Sequence, residues 1–395
     1  MTERLYYDDP HSTDFDATVV RIMPRDRQLA VWLDRSSFYP TSGGQPFDTG
    51  SLGSYRVVDV TDDDDGDVVH VVEGSGPLEV GQRVHGVVDV ARRLDHIQQH
   101  SGQHVLSAAI VRLLGVPTVS FHLGADTTTI DVARELTAAE MARVEDEANR
   151  VVWENRPVSI RYASAEEAAA MPLRKEPVRT GRLRLIDIEN FDLSACGGTH
   201  VRRTGEIGVI AIAGWERFKG GQRIEFLCGR RALTRFRTLR DSTTAAVRLL
   251  SVLPADLPGA IEHLQADAKE QKRSMAALQL ELARHQAVEF AAQAETHAKG
   301  RLILNIVDLE ANGLKTLALS IVSAPGFIVI LVSRSAPALI VAARSADIAV
   351  SCQEIVAAMT GQFGGRGGGK PDLAQGGGLN ASPEAVLDAL RQWLG

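Results

Sequence analysis

The first ninety residues consist of short runs in which apolar and polar positions alternate. This alternation is typical of β-strands with one buried face. Turn-forming residues at 62–66 and 73–77 separate several of the runs. Short strands that follow one another closely favour a small β-barrel or sandwich. The predicted strands are 17–22, 29–33, 56–60, 68–72 and 84–90.

From residue 92 onwards the apolar residues recur at helical spacing. A helix is predicted over 92–114 and a second over 137–155, where Thr137 and Glu140 have the spacing of a capping box. The mixture of helices and strands that follows indicates an α+β unit. The further elements predicted here are two strands within 119–132, strands at 158–162, 183–189 and 207–213, and a short helix at 164–171.

Residues 233–299 have an almost wholly helical character, with Pro254 and Pro258 as breaks. Within them, 261–299 carries an apolar stripe and charged residues on the other faces, which favours a helical arm or coiled coil. A helix that packs on its own domain is the alternative.

The last part of the chain predicts a separate α/β unit. Nearly continuous apolar strands at 302–307, 327–332 and 338–342 indicate a sheet that is covered on both faces. Helices are predicted at 314–321, 352–360 and 382–394. The whole chain is therefore expected to be α+β, with a barrel domain (1–90), an α+β domain (91–240), a helical arm (241–299) and a C-terminal α/β domain (300–395).

The composition bounds the function classes. Of 395 residues, 44% are hydrophobic and 24% are charged, which is ordinary for a globular protein with a large core. The formal net charge of −7 excludes a protein that is basic throughout, but not a local basic surface. Three scattered cysteines fit a reducing compartment. No signal peptide or membrane helix is predicted, so a cytoplasmic protein without a membrane partner is expected.

Two short motifs carry the clearest chemistry. His100 and His104 form one pair, and Cys196 and His200 form the other. Each pair has a four-residue spacing, which places two side chains on one face of a helix. Three imidazoles and one thiolate suit a tetrahedral zinc ion, Zn2+, whether its role is structural or catalytic. His96, one turn before His100, is interpreted as a neighbour of the site or a bystander.

Two glycine-rich segments allow close approach of a ligand. In the first, 38–50, Gln45 and the nearby Ser36 are candidates for hydrogen bonds to a polar substrate; a plain turn is the alternative. The second, 364–378, contains glycines whose backbone N–H groups can bind phosphate; a flexible linker is the alternative. Its candidate contacts are Arg366, Lys370 and Gln375.

Together the motifs resemble a known family. An HxxxH motif, a later CxxxH motif and a preceding FYPxxGGQPxDxG loop are similar to the editing domain of alanyl-tRNA synthetase and to the free-standing AlaX proteins. The C-terminal segment resembles the DHHA1 domain, so the whole chain is similar to the long form of AlaX. The segments that carry the resemblance are 4–8, 38–50, 98–107, 119–124, 196–201, 206–208, 223–229, 364–371 and 374–378.

The resemblance implies an aminoacyl-tRNA hydrolase that contains zinc. Its expected substrate is mischarged tRNA(Ala), chiefly Ser-tRNA(Ala), with Gly-tRNA(Ala) as a further candidate, and a homodimer through the helical arm is a candidate assembly. Ser36 departs from the family pattern, which usually has threonine there. Ser42 takes the place of the first of three glycines, a variant that the family also shows. Phe121-His122 stands where the synthetase's own editing domain tends to have a glutamine, as in the free-standing long forms. No segment resembles the ATP-dependent aminoacylation core, so ligation of alanine is not expected.

Two other functions remain as alternatives. One is a zinc-stabilised tRNA-binding module without hydrolytic activity, which the replacement at Ser36 and a closed zinc site would favour. The other is a zinc hydrolase that acts on another small ester or amide on the same scaffold, and this hypothesis predicts activity without tRNA.

Overall fold

The structure, a computed structural model, describes residues 1–175 and 181–395. The chain forms two compact units, Met1–Ala245 and Ala246–Gly395. Each unit has its own hydrophobic cores.

The first unit begins with a closed barrel of six antiparallel strands, in the order β2-β3-β7-β6-β5-β8. All five strands predicted here are present, and the side chains that alternate inwards fill the barrel. The prediction missed β5, which at three residues is too short to show alternation. The barrel strands are β2 (Asp14–Arg25), β3 (Gln28–Leu33), β5 (Gly50–Leu52), β6 (Tyr55–Asp62), β7 (Val68–Glu73) and β8 (Arg83–Val88). Two short strands, β1 (Glu3–Arg4) and β4 (Arg35–Ser36), pair with each other outside the barrel.

The rest of the first unit is an α+β assembly around one long helix. Helix α1 (Val90–Leu114) begins at Asp89, whose carboxylate accepts hydrogen bonds from two backbone N–H groups, and ends at Gly115 in the left-handed conformation. The predicted capping box of Thr137 and Glu140 is confirmed at the start of α2. The remaining elements are β9 (Thr118–Leu123), β10 (Thr128–Val132), α2 (Ala138–Trp153), β11 (Val158–Ala163), α3 (Ala165–Ala169), β12 (Leu183–Ile188), β13 (Asp192–Ala195), β14 (Ile210–Phe218), β15 (Gly221–Cys228) and α4 (Gly229–Leu250).

Two sheets flank α1, in the orders β14-β15-β10-β9 and β11-β12-β13. The strand predicted at 207–213 is β14, displaced towards the C-terminus because residues 204–207 form a 3-10 turn. Strand β15 was not predicted, although its sequence belongs to the family-like segment 223–229. Helix α4 begins four residues earlier than predicted because it follows β15 directly.

The second unit is a six-stranded sheet in the order β16-β17-β18-β19-β21-β20, in which only the β17–β18 pair is parallel. Separate cores lie on its two faces, as the apolar strands predicted. Its elements are α5 (Leu257–Ala292), β16 (Glu295–His297), β17 (Gly300–Val307), α6 (Ala311–Val322), β18 (Phe327–Ser333), β19 (Ala338–Arg344), α7 (Cys352–Phe363), β20 (Arg366–Gly369), β21 (Leu373–Leu379) and α8 (Pro383–Leu394).

Segment 364–378 is therefore not an irregular loop, which corrects the sequence-based interpretation. It forms the hairpin β20–β21 at the edge of this sheet. Glycine allows the hairpin to pack closely on α7, because a Cβ added at Gly367 would lie 2.6 Å from the Val356 side chain. The low strand propensity of glycine concealed both strands.

Helix α5 combines both predicted alternatives. Residues 261–282 are exposed on every side, as in an arm. The C-terminal turns pack on the helix's own sheet, where Ala283 and Ala287 are buried against Leu314 and Leu317 of α6. The helix ends at Ala292, and residues 295–297 form a strand instead of the predicted continuation.

In the part of the chain that the structure describes, no single helix is long and apolar enough to cross a membrane. Helix α4 and the helical segment Pro254–Ala292 reach the length and apolar composition of a membrane span only if they are counted together. The two are separated by a bend of 79°.

A buried ion pair fastens the loop between β4 and β5 to α1. Asp48 is fully buried and accepts two hydrogen bonds from Arg93, at 3.0 and 2.5 Å. It also accepts one from the backbone N–H of Tyr39 at 2.7 Å. Arg93 donates in addition to the carbonyl groups of Pro10 and Ser37. The guanidinium thus joins the N-terminal segment, the loop and the helix.

Replacement of one partner of this pair should destabilise the first unit strongly. We expect Asp48→Asn to lower the free energy of unfolding by about 3–5 kcal/mol, because Arg93 would remain buried without its counter-charge. Urea unfolding followed by circular dichroism measures this. The control is Glu3→Gln in the exposed Glu3–Arg35 pair, where a change within about 1 kcal/mol is expected. Equal effects of the two substitutions would contradict the account.

Candidate metal centre

Helix α1 presents His100 and His104 on successive turns of one face, as the HxxxH spacing predicts. Both side chains are buried, with exposed fractions of 3% and 4%. The helix can approach the core closely here because Gly102 lies between them. A Cβ at Gly102 would lie 2.2 Å from the Cys228 sulfur.

The second pair of ligands lies in a loop and not on a helix, which corrects the expectation drawn from its spacing. Cys196 directly follows β13, and residues 196–200 are irregular. A Cβ at Gly198 would lie 2.1 Å from Cε1 of His100. The loop can therefore pass over the His100 ring only because residue 198 is glycine.

The two segments bring all four predicted ligands together. One ligand atom from each of His100, His104, Cys196 and His200 lies within 4.8 Å of the other three. The sulfur of Cys196 is 3.3 Å from Nε2 of His100 and 3.3 Å from Nε2 of His200. Ligands around one tetrahedral ion lie roughly 3.3–3.6 Å apart, given the usual metal–ligand bond lengths. The cluster could therefore hold a single metal ion.

Each imidazole is oriented through its other nitrogen, so that Nε2 is left for a metal. Nδ1 of His100 is 2.8 Å from the Gln45 amide oxygen, and Nδ1 of His200 is 3.2 Å from the Ser101 hydroxyl. Nδ1 of His104 is 3.3 Å from the Asp192 carboxylate. Contacts of this kind fix the tautomer and raise the basicity of a ligating histidine.

Asp192 is held in turn by its own partners. The Arg174 guanidinium donates to Asp192 at 2.7 and 3.3 Å, and the Ser194 hydroxyl donates at 2.9 Å. Burial opposes the charge, but His104 and Arg174 outweigh it and lower the pKa of Asp192 to about 2. The carboxylate therefore stays ionised beside His104 at neutral pH.

The electrostatics of the cluster favour a thiolate. Burial opposes that charge, but it is outweighed by contacts of which the one with His100 is the largest, and the pKa of the Cys196 thiol lies well below its ordinary value. Burial lowers the pKa of His200 to about 3, so that imidazole is neutral. A thiolate and a neutral imidazole are the protonation states that a metal ion requires of its ligands.

The two substrate-contact candidates are buried and already bonded within the protein. Gln45 accepts from His100 and from the Thr199 backbone N–H at 3.2 Å, and its amide nitrogen donates to the Thr199 hydroxyl at 2.9 Å. The structure thus places Gln45 as a support for His100. Ser36 lies 2.7 Å from Nε2 of His70 and accepts from the Phe38 backbone N–H. Contact of either residue with a substrate stays a prediction.

Cys196 is the one ligand of these four that is only partly buried as a residue. Arg184 shapes the loop that carries it by donating to the carbonyl groups of Cys196 and Gly198 at 2.8 and 2.9 Å. It also donates to the carbonyl of Tyr7 at 3.0 Å. A Cβ at Gly197 would lie 3.6 Å from the Tyr7 hydroxyl. The N-terminal segment therefore borders the loop that carries Cys196.

His96 and the C-terminal candidates lie outside the cluster. His96 is buried, with Nδ1 4.0 Å from the Asp48 carboxylate, and burial lowers its pKa to about 4. On the hairpin β20–β21, Arg366, Lys370 and Gln375 are exposed. The register places Arg366 and Gln375 on the same face as Gly368, where an added Cβ would meet open space. The phosphate-binding prediction for them is not tested by this geometry.

Sequence reasoning missed the supporting residues Asp192, Thr199, Ser101 and Arg184. Ser101 and Thr199 are each adjacent in sequence to a ligand, and this position could have marked them as candidate supporting residues. Asp192 and Arg184 are indicated by no local pattern, because their roles arise from the pairing of β12 with β13.

Parts of the chain match known protein families. Residues 183–225 match the threonyl and alanyl tRNA synthetase second additional domain, and residues 11–92 match class II (A) tRNA synthetases. Residues 299–395 match the DHHA1 domain. The C-Ala domain of Aquifex aeolicus alanyl-tRNA synthetase is 25% identical and covers 26% of this chain and 96% of its own, with a TM-score of 0.24.

Among curated relatives, alanine–tRNA ligases from Pyrococcus abyssi and Methanoregula boonei are 33% and 34% identical over 95% and 99% of this chain. The chain spans only 42% and 44% of those ligases. The alanyl-tRNA editing protein AlaX-L of Pyrococcus horikoshii is 30% identical, with 98% of this chain and 97% of that protein covered.

The barrel, the His/Cys cluster and the C-terminal α/β unit define a protein of the class built on alanyl-tRNA synthetase editing modules. Within that class, the chain belongs to the family of the alanyl-tRNA editing protein AlaX-L.

The close contact at Gly198 yields a test of the centre. We expect Gly198→Ala to displace the His100 ring and to lower the bound metal to less than about a tenth, since loss of one ligand weakens metal binding severely. Metal content of the purified variant is the measurement. Gly197→Ala is the matched control, because its added Cβ has only an ordinary contact at 3.6 Å. Full metal content in Gly198→Ala would show that metal binding does not depend on the close contact between residue 198 and the His100 ring.

Proposed function

We propose that this chain is a trans-editing hydrolase that deacylates mischarged tRNA(Ala), chiefly Ser-tRNA(Ala) and also Gly-tRNA(Ala). The observation that carries the proposal is the cluster of His100, His104, Cys196 and His200, in which Cys196 is only partly buried. The family relationship to the alanyl-tRNA editing protein of Pyrococcus horikoshii supports the same conclusion.

Zinc is the proposed metal. Three imidazoles and a thiolate within 4.8 Å form a donor set that zinc accepts in tetrahedral geometry. When bound, zinc can polarise an ester carbonyl or lower the pKa of a bound water. Gln45, Ser101 and Asp192 hold the three imidazoles so that their Nε2 atoms converge.

The proposed reaction needs little more than orientation and electrostatic support, because an aminoacyl ester is already activated. The chain supplies a buried, polar environment, in which Arg184 holds the carbonyl groups of Tyr7 and Cys196 beside the ligands. Selection of serine over alanine would follow if the site hydrogen-bonds the serine hydroxyl, since alanine would leave that group unpaired.

Mischarged tRNA(Ala) is the proposed partner, with no membrane involved. The exposed side chains of Arg366, Lys370 and Gln375 are proposed to contact its phosphates. The three cysteines are free thiols, which fits a reducing compartment, and we propose the cytoplasm.

One observation favours a second candidate function. Four protein ligands complete a tetrahedral shell, and closed sites of this kind are usually structural. The chain would then be a zinc-stabilised tRNA-binding module without hydrolytic activity.

A matched deacylation assay separates the two candidates. We expect the zinc-loaded protein to hydrolyse Ser-tRNA(Ala) at least about a hundredfold faster than Ala-tRNA(Ala), as for a site that bonds the substrate hydroxyl. A chelator that removes the metal should abolish the activity. Binding of both tRNAs without turnover would identify the binding module instead, and equal rates on both would reject an editing role.

We also propose a homodimer formed through the exposed part of α5. Positions 261, 264, 268, 271, 275, 278 and 282 follow an alternation of three- and four-residue steps, and all of them except Gln271 are apolar. This is the pattern of a coiled-coil seam. Leu264, Met275, Leu278 and Leu282 are 54–65% exposed within a single copy.

Charge on the seam should dissociate this dimer. We expect Met275→Glu/Leu278→Glu to give a monomer by light scattering, because two buried charges on each chain oppose association. Ala276→Glu/Ala277→Glu adds the same charge away from the seam and should remain dimeric. A wild-type protein that is monomeric at micromolar concentration would refute the dimer.

A further inference from the structure

An exposed basic surface lies at the start of α4, outside the metal centre and the glycine-rich hairpin. Helix α4 contains six arginines and one aspartate, in a chain whose formal net charge is −7. Five of those arginines fall within residues 230–240. The positive charge is thus concentrated on three helical turns.

The side chains of this segment sort onto one face. Helical neighbours are three or four residues apart. We name as the α4 face the five exposed residues that follow this spacing: Arg230, Leu233, Phe236, Arg237 and Arg240. Leu233 and Phe236 are 47% and 61% exposed, between the arginines. The face extends over about 15 Å of helix.

The arginines of this face differ in their partners. Arg240 is bonded to Asp241 at 2.8 Å. Arg231, which lies outside the face, is bonded to Asp95 of α1 at 2.6 Å. Within residues 1–175 and 181–395, the guanidinium groups of Arg230 and Arg237 form no ion pair or hydrogen bond. Two unneutralised positive charges therefore lie on the same helix face as the exposed ring of Phe236.

The start of the face is fixed to helix α1, which carries two of the metal ligands. The backbone N–H of Arg230 donates to the Gln98 side chain at 3.3 Å, and Gln98 precedes His100 by two residues. Gln99 exchanges hydrogen bonds with the backbone of Cys228 at 2.8 and 3.0 Å. The start of α4 is thus fixed to the turn of α1 that carries His100.

We propose that the α4 face binds the sugar-phosphate backbone of tRNA next to its aminoacylated end. This inference rests on the proposed function, since it identifies where that substrate is bound. Arginine is suited to phosphate, and an exposed aromatic ring between arginines is suited to stacking on an unpaired base. The 3′ end of a tRNA is single-stranded, so it can offer phosphates and bases to such a face while its ester reaches the metal centre. The mixed character of the face fits a nucleic-acid strand better than a purely apolar protein contact.

The test measures binding of tRNA(Ala) transcript by fluorescence anisotropy over a series of salt concentrations. We expect Arg230→Gln/Arg237→Gln to raise Kd about tenfold and to reduce the slope of log K against log salt by about 1.5, since two phosphate contacts are lost. Phe236→Ala should weaken binding several-fold and leave the slope unchanged, because stacking releases no counterions.

The control variant is Arg25→Gln/Arg83→Gln, which removes two exposed arginines from the barrel. It should retain the wild-type Kd and slope. Equal losses in both double variants would show that binding depends only on overall charge and would overturn the inference. Unchanged RNA binding in Arg230→Gln/Arg237→Gln, or a change only in its oligomeric state, would also overturn it.

Deacylation of Ser-tRNA(Ala) by the same proteins separates this inference from the proposed function. A wild-type protein that binds tRNA without hydrolysis, with weaker binding in the variant, would overturn the proposed function and retain the α4 face. Hydrolysis by the wild type, with a variant that binds equally well, would overturn the face alone. A wild-type protein that binds no tRNA would overturn both.

Discussion

The first unit depends on the convergence of three imidazoles and one thiolate at a single buried point. A thiolate and three imidazoles are costly to bury together unless a cation neutralises the thiolate and uses the nitrogen lone pairs. Their ligand atoms nevertheless lie within 4.8 Å of one another. Much of the surrounding structure explains how this arrangement is held.

The barrel contributes to the site although none of the four ligands comes from it. The loop that leaves the barrel carries Gln45 to Nδ1 of His100. The same loop is fastened to α1 by the buried Asp48–Arg93 pair. On the opposite side, the pairing of β12 with β13 brings Asp192 to His104 and Arg184 to the Cys196 loop. The barrel and the α+β part are therefore joined through the supports of the ligands.

Particular residues show which parts of this account could be predicted from the sequence. The HxxxH helix, the Thr137–Glu140 capping box, the barrel and the covered C-terminal sheet follow from local periodicity and spacing, and all are confirmed. The helical expectation for Cys196 and His200 was wrong, because two glycines between them favour a loop that can pass over the His100 ring. The hairpin β20–β21 was missed because glycine carries no alternating pattern. The contact of Asp192 with His104 depends on the pairing of β12 with β13. A short stretch of sequence does not reveal that pairing.

X-ray absorption at the zinc edge of the zinc-loaded protein tests the central claim most directly. The account predicts one zinc per chain, with one sulfur at about 2.3 Å and three imidazole nitrogens at about 2.0 Å. A shell without sulfur, or with fewer than three imidazoles, would contradict a site built from Cys196, His100, His104 and His200.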